Sequence, residues 1–569
     1  MLMASQHTAP SRSTSAFMTL TPSLTALASK PTHPTLGRHF RAWQGALLMA
    51  LCTLPASMGV QAQEPRAPLN LPALGDSVGQ DLSPRAERRL GDRVMRAIRG
   101  DPAVVDDPLV LEYVQALWLD LLTAARQRGE IGADLDDSHA WEPFLVRDKS
   151  VNAFALPGGY IGVHLGLIAM TTTTDELASV LAHELSHVTQ RHIARMMGQQ
   201  ARTSWLSMAS MVLGILAASR NPAAAQALIY GGQAASIQGQ LNFSREMERE
   251  ADRVGFTVMS EAGFEPGGMA RMFEHLQQAS RLNDDGSFPY LRTHPLTSER
   301  IGEARARMGP NGWDQALQAR PSDSQRTLWH ALMAARSQVL MDPRSDALHR
   351  LANLTLPDSA TPLQQVQAHY TVALAKQRTG QMAGASAAMA QARKAALRLP
   401  SAQQPTAQRI LTLSEAEGLL DAHRPLEASD VLAQPAAPSP MVAPRAGRPE
   451  LLLNARLALA QAPSSLQASQ WLDAANQLQT QTSQFPQDAS AWALLSELWR
   501  RLGQPLRAIR ADAEATAALG DLPGAIDRIQ GANQRFRQPN GAEVIELSVM
   551  SARLKAWQRQ QRDDLRSDP

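Results

Sequence analysis

Cysteine is almost missing from this chain of 569 residues: the only one, Cys52, sits in an N-terminal leader. The part that follows can therefore form no disulfide and ligate no metal through sulfur, which excludes Fe–S, soft-metal and thiol chemistry. A strong charge of either sign is missing too. The net charge is +2, and residues 1–62 contribute Arg12, Lys30, Arg38 and Arg41 to it with no acid at all. Without those four, 51 basic residues face 53 acidic ones. No basic domain of the kind that grips a phosphate backbone is left, so the charge gives no reason to expect nucleic acid as a partner. Long apolar runs are scarce: Ala46 to Val60 and Trp205 to Ala218 both fall short of the ~20 residues a spanning helix needs. What the chain does have is 44% hydrophobic residues. Its length suits more than one domain at ~100–200 residues each.

The leader reads as an export signal. Arg38, His39 and Arg41 precede the Ala46 to Val60 stretch, and Val60-Gln61-Ala62 offers small residues for processing, so cleavage is expected after Ala62. Leu51 directly before Cys52 is too bulky for lipoprotein processing. Residues 1–37, rich in Ser and Thr, look superficially like an organellar transit peptide and are equally explained by a start codon assigned too early, with Met18 as the true start. A cysteine-free chain behind a signal peptide points to the periplasm, where disulfides are allowed but not required.

Residues 63–84, rich in Pro, Leu and Gly, read as a linker. Leu90, Val94 and Ile98, then Leu111, Val114, Trp118 and Leu122, recur at helical spacing on either side of Asp101-Pro102 and Asp107-Pro108. Phe144 to Val146 is a short apolar run, and Asn152 to Leu167 folds around Pro157-Gly158-Gly159 as two strands or a hairpin. Thr173 and Glu176 form a capping box ahead of Leu177, Val180, Leu181, Leu185 and Val188, which predicts one continuous helix from Asp175 to Met197. Trp205 to Ala218 reads as a buried or hairpin helix, with a membrane-surface helix as the alternative. Further helices are expected over Phe243 to Glu261 and beyond Gly263-Phe264-Glu265-Pro266. A polar loop follows at Asn283 to Ser287.

From about Met308 onward the composition shifts to Ala, Leu, Gln and Arg. Trp492, Leu495, Trp499, Ala508 and Ala515 fall at the spacing of a tetratricopeptide repeat, with Gly503 at the turn between paired helices. Gly520 follows at half a repeat, and Gly380 with Ala373, Ala385 and Ala392 gives a weaker copy. The Pro-rich segment Gln434 to Pro449 interrupts an array that must stack its pairs to bury their apolar faces.

Chemistry concentrates in His183-Glu184-Leu185-Ser186-His187. On a helix the two imidazoles lie four residues and about 40° apart, close enough to reach one Zn²⁺. Glu184 then points to the open metal position, where a carboxylate can take a proton from water and pass it to a leaving amine. A catalytic zinc needs a third protein ligand. His192 lies nine residues from His183, about 180° round a continuous helix with no Gly to break it, and is read as structural or as a surface residue. Glu248 is the better candidate, with Glu246 still open, and Asp252 one turn on can hydrogen-bond the outer nitrogen of a ligating histidine. Glu250 faces away. A surface salt-bridge network with Arg245, Arg249 and Arg253 is the plain alternative for these acids.

Together, Asn152 to Gly159, His183 to His187, Ser244-Arg245 and Glu248 to Asp252 resemble the gluzincin metallopeptidases that include the CAAX prenyl protease and HtpX-like enzymes. The signal peptide ahead and the repeats behind resemble that family's soluble periplasmic branch. The resemblance covers about Ser83 to Met308. It implies one Zn²⁺ per chain on His183, His187 and Glu248, Glu184 as general base, and a role in degrading or helping to assemble outer-membrane proteins. Membrane-embedded relatives carry long spanning helices where this chain has only Trp205 to Ala218, so lipid-embedded substrates do not fit.

Two further features are read from the residues. The strand at Asn152, Ala153, Phe154 and Ala155 offers an edge to an extended peptide, against the alternative of a core hairpin. His294, before Pro295, can reach the open metal position as a fourth ligand that shuts the site, or donate to the oxyanion; Arg300 is a weaker oxyanion candidate. His164, His275, His330, His349, His369 and His423 have no partner at metal spacing and are read as ordinary.

The expectation is thus a mainly α protein: a leader (1–62), a linker (63–84), a zincin-type α+β metallopeptidase domain (85–310) and an α-solenoid of tetratricopeptide-like helix pairs (311–569). Its clients would be unfolded or misassembled outer-membrane proteins, with the repeats docking the assembly machinery. Peripheral membrane association is compatible with this. The rival class is a chaperone or adaptor working through the repeats with a latent metal site.

Overall fold

The computed structural model describes residues 82–199, 243–282, 288–310, 312, 325–433, 447–461, 467–538 and 540–566. The leader, most of the linker, Trp205 to Ala218, the polar loop Asn283 to Ser287 and most of the Pro-rich segment lie outside them.

The first two helices begin alike. In α1 (Pro84–Ile98) the Ser83 side chain accepts from the Ala86 amide, and in α2 (Pro108–Gln127) Asp107 accepts from Val110 at 3.0 Å, each with Pro at the first helical position. α2 is long and apolar enough to cross a membrane, yet it is mostly buried inside the protein and serves as the core helix. A four-stranded sheet combines β1 (Val104–Val105), which lies between α1 and α2, with β2 (Glu142–Val146), β3 (Ala153–Leu156) and β4 (Tyr160–His164), which follow the short α3 (Ala133–Ser138), in the order β1-β2-β4-β3. β2 and β4 are parallel and the outer pairs antiparallel. The Phe144 to Val146 run is the core of β2, and Asn152 to Leu167 is the β3–β4 hairpin with the start of α4 (Leu165–Met170). Among the described residues β3 ends the sheet order and pairs with no strand but β4, and it packs beside α5 (Thr174–Thr189).

α5 is shorter than its sequence pattern implies. It stops at Thr189, Arg191 adopts φ 52°, and α6 (His192–Gln199) starts in a new direction, so the expected continuous helix to Met197 is not formed. Four more helices follow: α7 (Arg245–Glu261) and α8 (Gly267–Leu282), which pack on α5, then α9 (Tyr290–Thr293) and α10 (Ser298–Ala306), the last packed on α7 and α8. Among the described residues that follow, every element is a helix, beginning with α11 (Gln325–Leu340). The fold is therefore mainly helical with one small mixed sheet and a run of helix pairs.

The helix pairs follow the expected logic. Trp492, Leu495, Trp499, Ala508 and Ala515 share one apolar cluster, drawn from Ala489–Arg501 and Pro505–Ala518. Gly503 and Gly520 sit at the turns with φ 67° and 92°, values that only a residue without Cβ takes at low cost. One apolar cluster runs from Leu109 to Leu453, across the expected boundary at 310. The same seam carries three buried arginines, each held between two acids. Arg336 joins Asp107 and Glu417 at 2.6 Å each, Arg409 joins Glu112 at 2.8 Å and Glu450 at 2.6 Å, and Arg448 joins Asp106 at 2.5 Å and Asp488 at 2.7 Å.

Candidate metal centre

α5 starts where the Thr173 hydroxyl accepts from the Glu176 amide at 3.3 Å. Glu176 reaches back to the amide and hydroxyl of Thr172, at 2.8 and 2.9 Å, so the box is displaced by one residue. Two turns later the helix presents His183 and His187, their Nε2 atoms 3.0 Å apart. α7, capped by Ser244 on the Met247 amide, brings Glu248 to 3.5 Å from His183 Nε2 and 3.4 Å from His187 Nε2. The turn after α9 adds His294, with Nδ1 3.0 Å from Glu248 and 3.3 Å from His183 Nε2. Ligand atoms of His183, His187, Glu248 and His294 all fall within 4.8 Å of one another, and all four residues are buried.

Rings close the site on two sides. Phe243 stacks on His187 with centroids 3.8 Å apart, and Tyr290 stacks on His294 at 4.6 Å. Glu184 is 0% exposed, and among the described residues neither carboxyl oxygen has a hydrogen-bond partner. The Nε2 of His294 lies 3.5 Å from Glu184 Oε1. Burial, opposed by the charges of His294 and His183, pushes the Glu184 pKa up, as suits a group that must take a proton and give it back.

Around the ligands the electrostatics favour a cation. Burial, the largest influence on His183, acts to lower its pKa, and the hydrogen-bonded carboxylates of Asp252 and Glu248 overcome it and raise the value to about 9. His187 is held well below its ordinary value by burial, with the charges of His183 and His294 adding to it. Glu248 stays well below the usual carboxylate range although burial pushes it up, because His294, His183 and His187 surround it. Two imidazole nitrogens and a carboxylate thus converge on one small volume. Such a donor set suits zinc and other divalent metals that accept nitrogen and oxygen.

Asp252 lies where the sequence placed it, its Oδ1 2.9 Å from the outer Nδ1 of His183. Glu246 is exposed and takes no part in the group. Glu250 points away from the ligands, toward Arg195 at 2.9 Å. Two expectations need correction. Arg300 does not stand free as an oxyanion donor: its guanidinium is buried against Asp252 at 2.7 and 2.8 Å, Glu248 at 2.7 Å and the Pro295 carbonyl at 2.9 Å, contacts that engage Nε, Nη1 and Nη2. His192 is not turned away, because the break at Arg191 swings it back until its Nδ1 is 2.8 Å from the Nδ1 of His187. No Gly or Pro signals that break. The stacking of Phe243 and Tyr290 also left no pattern in the sequence.

At the substrate-facing strand, Asn152 and Ala153 are buried while Phe154 and Ala155 are half-buried. Among the remaining histidines, His164 bonds Ser150 at 3.0 Å, His275 faces Glu176 at 3.4 Å and His330 bridges Tyr113 and the Thr171 carbonyl. None of these belongs to the ligand group.

Comparison with known proteins gives the site its relatives. Residues 121–308 match the family model of peptidase family M48. A putative beta-barrel assembly-enhancing protease of Vibrio cholerae is 38% identical over 260 residues, which are 46% of this chain and 51% of that protein, so this match spans about half of the relative's length. The beta-barrel assembly-enhancing protease of Escherichia coli is 29% identical over 495 residues, 86% of this chain and 93% of its own. The mitochondrial metalloendopeptidase OMA1 of Schizosaccharomyces pombe is 33% identical over 165 residues, 28% of this chain and 44% of its own.

Proposed function

We propose, from the match of residues 121–308 to the model of peptidase family M48, that this chain is a periplasmic zinc endopeptidase acting on misfolded or stalled outer-membrane proteins. The observation that carries the reading is the convergence of His183, His187 and Glu248 beside the unpartnered carboxyl of Glu184. Those three residues would hold one zinc per chain. Bound zinc supplies Lewis-acid chemistry to the scissile carbonyl and the attacking water. Glu184 takes the proton of that water and delivers it to the leaving amine nitrogen. Asp252 orients His183, and Arg300 fixes Asp252 and Glu248 in turn.

The edge of β3 orients the substrate. The register turns the main-chain groups of Phe154 toward β4 and those of Ala153 and Ala155 to the free edge; there they can pair with an extended segment whatever its side chains, and unpaired strands of a stalled β-barrel are such segments. The names of the Vibrio and Escherichia relatives support that client class. The leader expected at 1–62 supports export, and the helix pairs beyond 310 serve as the docking surface for clients or for the assembly machinery.

His294 acts as a fourth donor that shuts the site at rest. Its approach to Glu248 and His183 and the burial of Glu184 support this reading. The same observation favours the second reading, a chaperone or adaptor with a latent metal site. The test is cleavage of an unfolded outer-membrane protein by the zinc-loaded chain from Gln63 onward, beside Glu184→Gln. Cleavage by the unaltered chain alone supports the hydrolase. No cleavage by either, with rescue of an envelope-assembly defect by Glu184→Gln, supports the adaptor.

A further inference from the structure

One fully buried histidine has no part in the chemistry above. His192 is 0% exposed, its Nδ1 lies 2.8 Å from His187 Nδ1, and its Nε2 lies 3.0 Å from Glu250 Oε2. Hydrogen placement along this line follows from its far end. The Glu250 carboxylate can only accept, and it also receives Arg195 at 2.9 Å, so the hydrogen between it and His192 sits on His192 Nε2. A neutral imidazole protonated there presents a lone pair at Nδ1. His187 therefore donates its own Nδ1–H to His192, which leaves the lone pair of His187 Nε2 facing His183 and Glu248.

We propose that His192 is the positioning residue of His187, with Glu250 as the terminal acceptor, and that together they hold this imidazole in the tautomer and orientation that present Nε2 to the metal. The inference rests on the reading of His183, His187 and Glu248 as ligands. Asp252 serves His183 by one direct hydrogen bond, and His192 serves His187 by one that is itself backed by the bond from His192 to Glu250. The arrangement gives the break after α5 a purpose. A left-handed φ of 52° at Arg191 is costly for a residue with a Cβ, and a continuous helix would carry His192 to the far side. Arg191 is anchored in that conformation by Glu87 at 3.4 Å and by the Leu82 carbonyl.

The test is equilibrium competition for zinc between the apo full chain and a chromophoric chelator. His192→Phe keeps the ring volume and removes both nitrogens, and it is expected to weaken zinc binding by roughly 10- to 100-fold, the usual effect of losing an outer partner of a metal-bound histidine. His192→Asn keeps an acceptor close to the place of Nδ1 and should recover most of the loss. Zinc affinity equal to that of the unaltered chain in His192→Phe would overturn the proposal. So would an Asn variant as weak as the Phe variant, since the role would then be packing alone. Should His192→Phe fail to fold, Glu250→Ala at the half-buried end of the line decides: weaker zinc binding supports the relay, and unchanged binding overturns it. If the unaltered chain takes up no zinc, the ligand reading falls and this inference falls with it.

Discussion

Gly255 is the point at which α7 crosses α5, and replacing it with alanine tests how closely Glu248 depends on that contact. A Cβ built there would lie 3.0 Å from the Ala182 carbonyl oxygen and 3.1 Å from both Ala182 C and His183 N. The obstacle is helix backbone, which cannot rotate aside. To regain an ordinary contact of ~3.5 Å the helices must part by about 0.4 Å. Alanine contributes ~1 kcal/mol of helix propensity over glycine, while overpacking costs ~1–3 kcal/mol, so the net destabilisation is ~0–2 kcal/mol. Metal binding should suffer more. Glu248 sits two turns from Gly255 on the same helix face, and ligand distances tolerate only ~0.2 Å, so zinc affinity is expected to fall about tenfold. The measurement is zinc competition against a chelator, with a urea unfolding midpoint of the apo form beside it. Gly302→Ala is the control, because a Cβ there meets nothing within 4 Å. It should add stability without changing zinc affinity. If Gly255→Ala binds zinc as tightly as the unaltered chain, the close helix crossing does not set the site and the reasoning fails.

His294→Ala removes the proposed fourth donor, and turnover of an unfolded outer-membrane protein should rise roughly tenfold if the competent form is about a tenth populated. Unchanged or lower turnover counts against self-inhibition. His164 sets a pH dependence: burial lowers its pKa from 6.5 to about 4, so the unfolded chain binds the proton first as pH falls. Stability is full above about pH 6.5 and is lost progressively toward pH 4, by about 2 kcal/mol at pH 5. His164→Gln should flatten that part of the urea midpoint against pH, and an unchanged slope would exclude His164 as its source.

The site was legible to different depths. The ligand spacing of His183 and His187 and the one-turn step from Glu248 to Asp252 are local helical facts, readable because an apolar stripe fixes which face is buried. His192 was misread because the break before it comes from Arg191, a residue with no turn propensity, held by the distant Glu87 and Leu82. Arg300 was misread for the same kind of reason. Its partners, Asp252, Glu248 and the Pro295 carbonyl, come together only once α7 and α10 are packed. Gly380, Gly503 and Gly520 announced their helix pairs because a left-handed turn demands glycine. What no local pattern shows is that the helix pairs and the sheet domain share a core. Asp107 and Arg336, or Glu112 and Arg409, are separated by hundreds of positions and signal nothing until they meet.

That shared core bears on whether residues 85–310 can stand alone. α11 packs on α4 and α2, where Trp329 is fully buried with its ring 5.3 Å from Tyr113, and His330 ties Tyr113 to the Thr171 carbonyl just ahead of the metal helix. Thr174, the first residue of that helix, bonds the Arg326 carbonyl at 3.0 Å. Ending the chain at 310 removes both anchors of α5 and bares the apolar faces of α2 and α4, a patch of the kind that drives association. Within the full chain the ionic part of the seam can be probed alone. Arg409→Met leaves Glu112 buried without its guanidinium, a loss of ~3–5 kcal/mol, while the apolar contacts persist. The truncated fragment should aggregate or bind an apolar dye, and Arg409→Met should fold with a lowered urea midpoint. A monomeric 85–310 fragment that takes up zinc as the full chain does would refute the argument, because α5 would then need no support from the helix pairs.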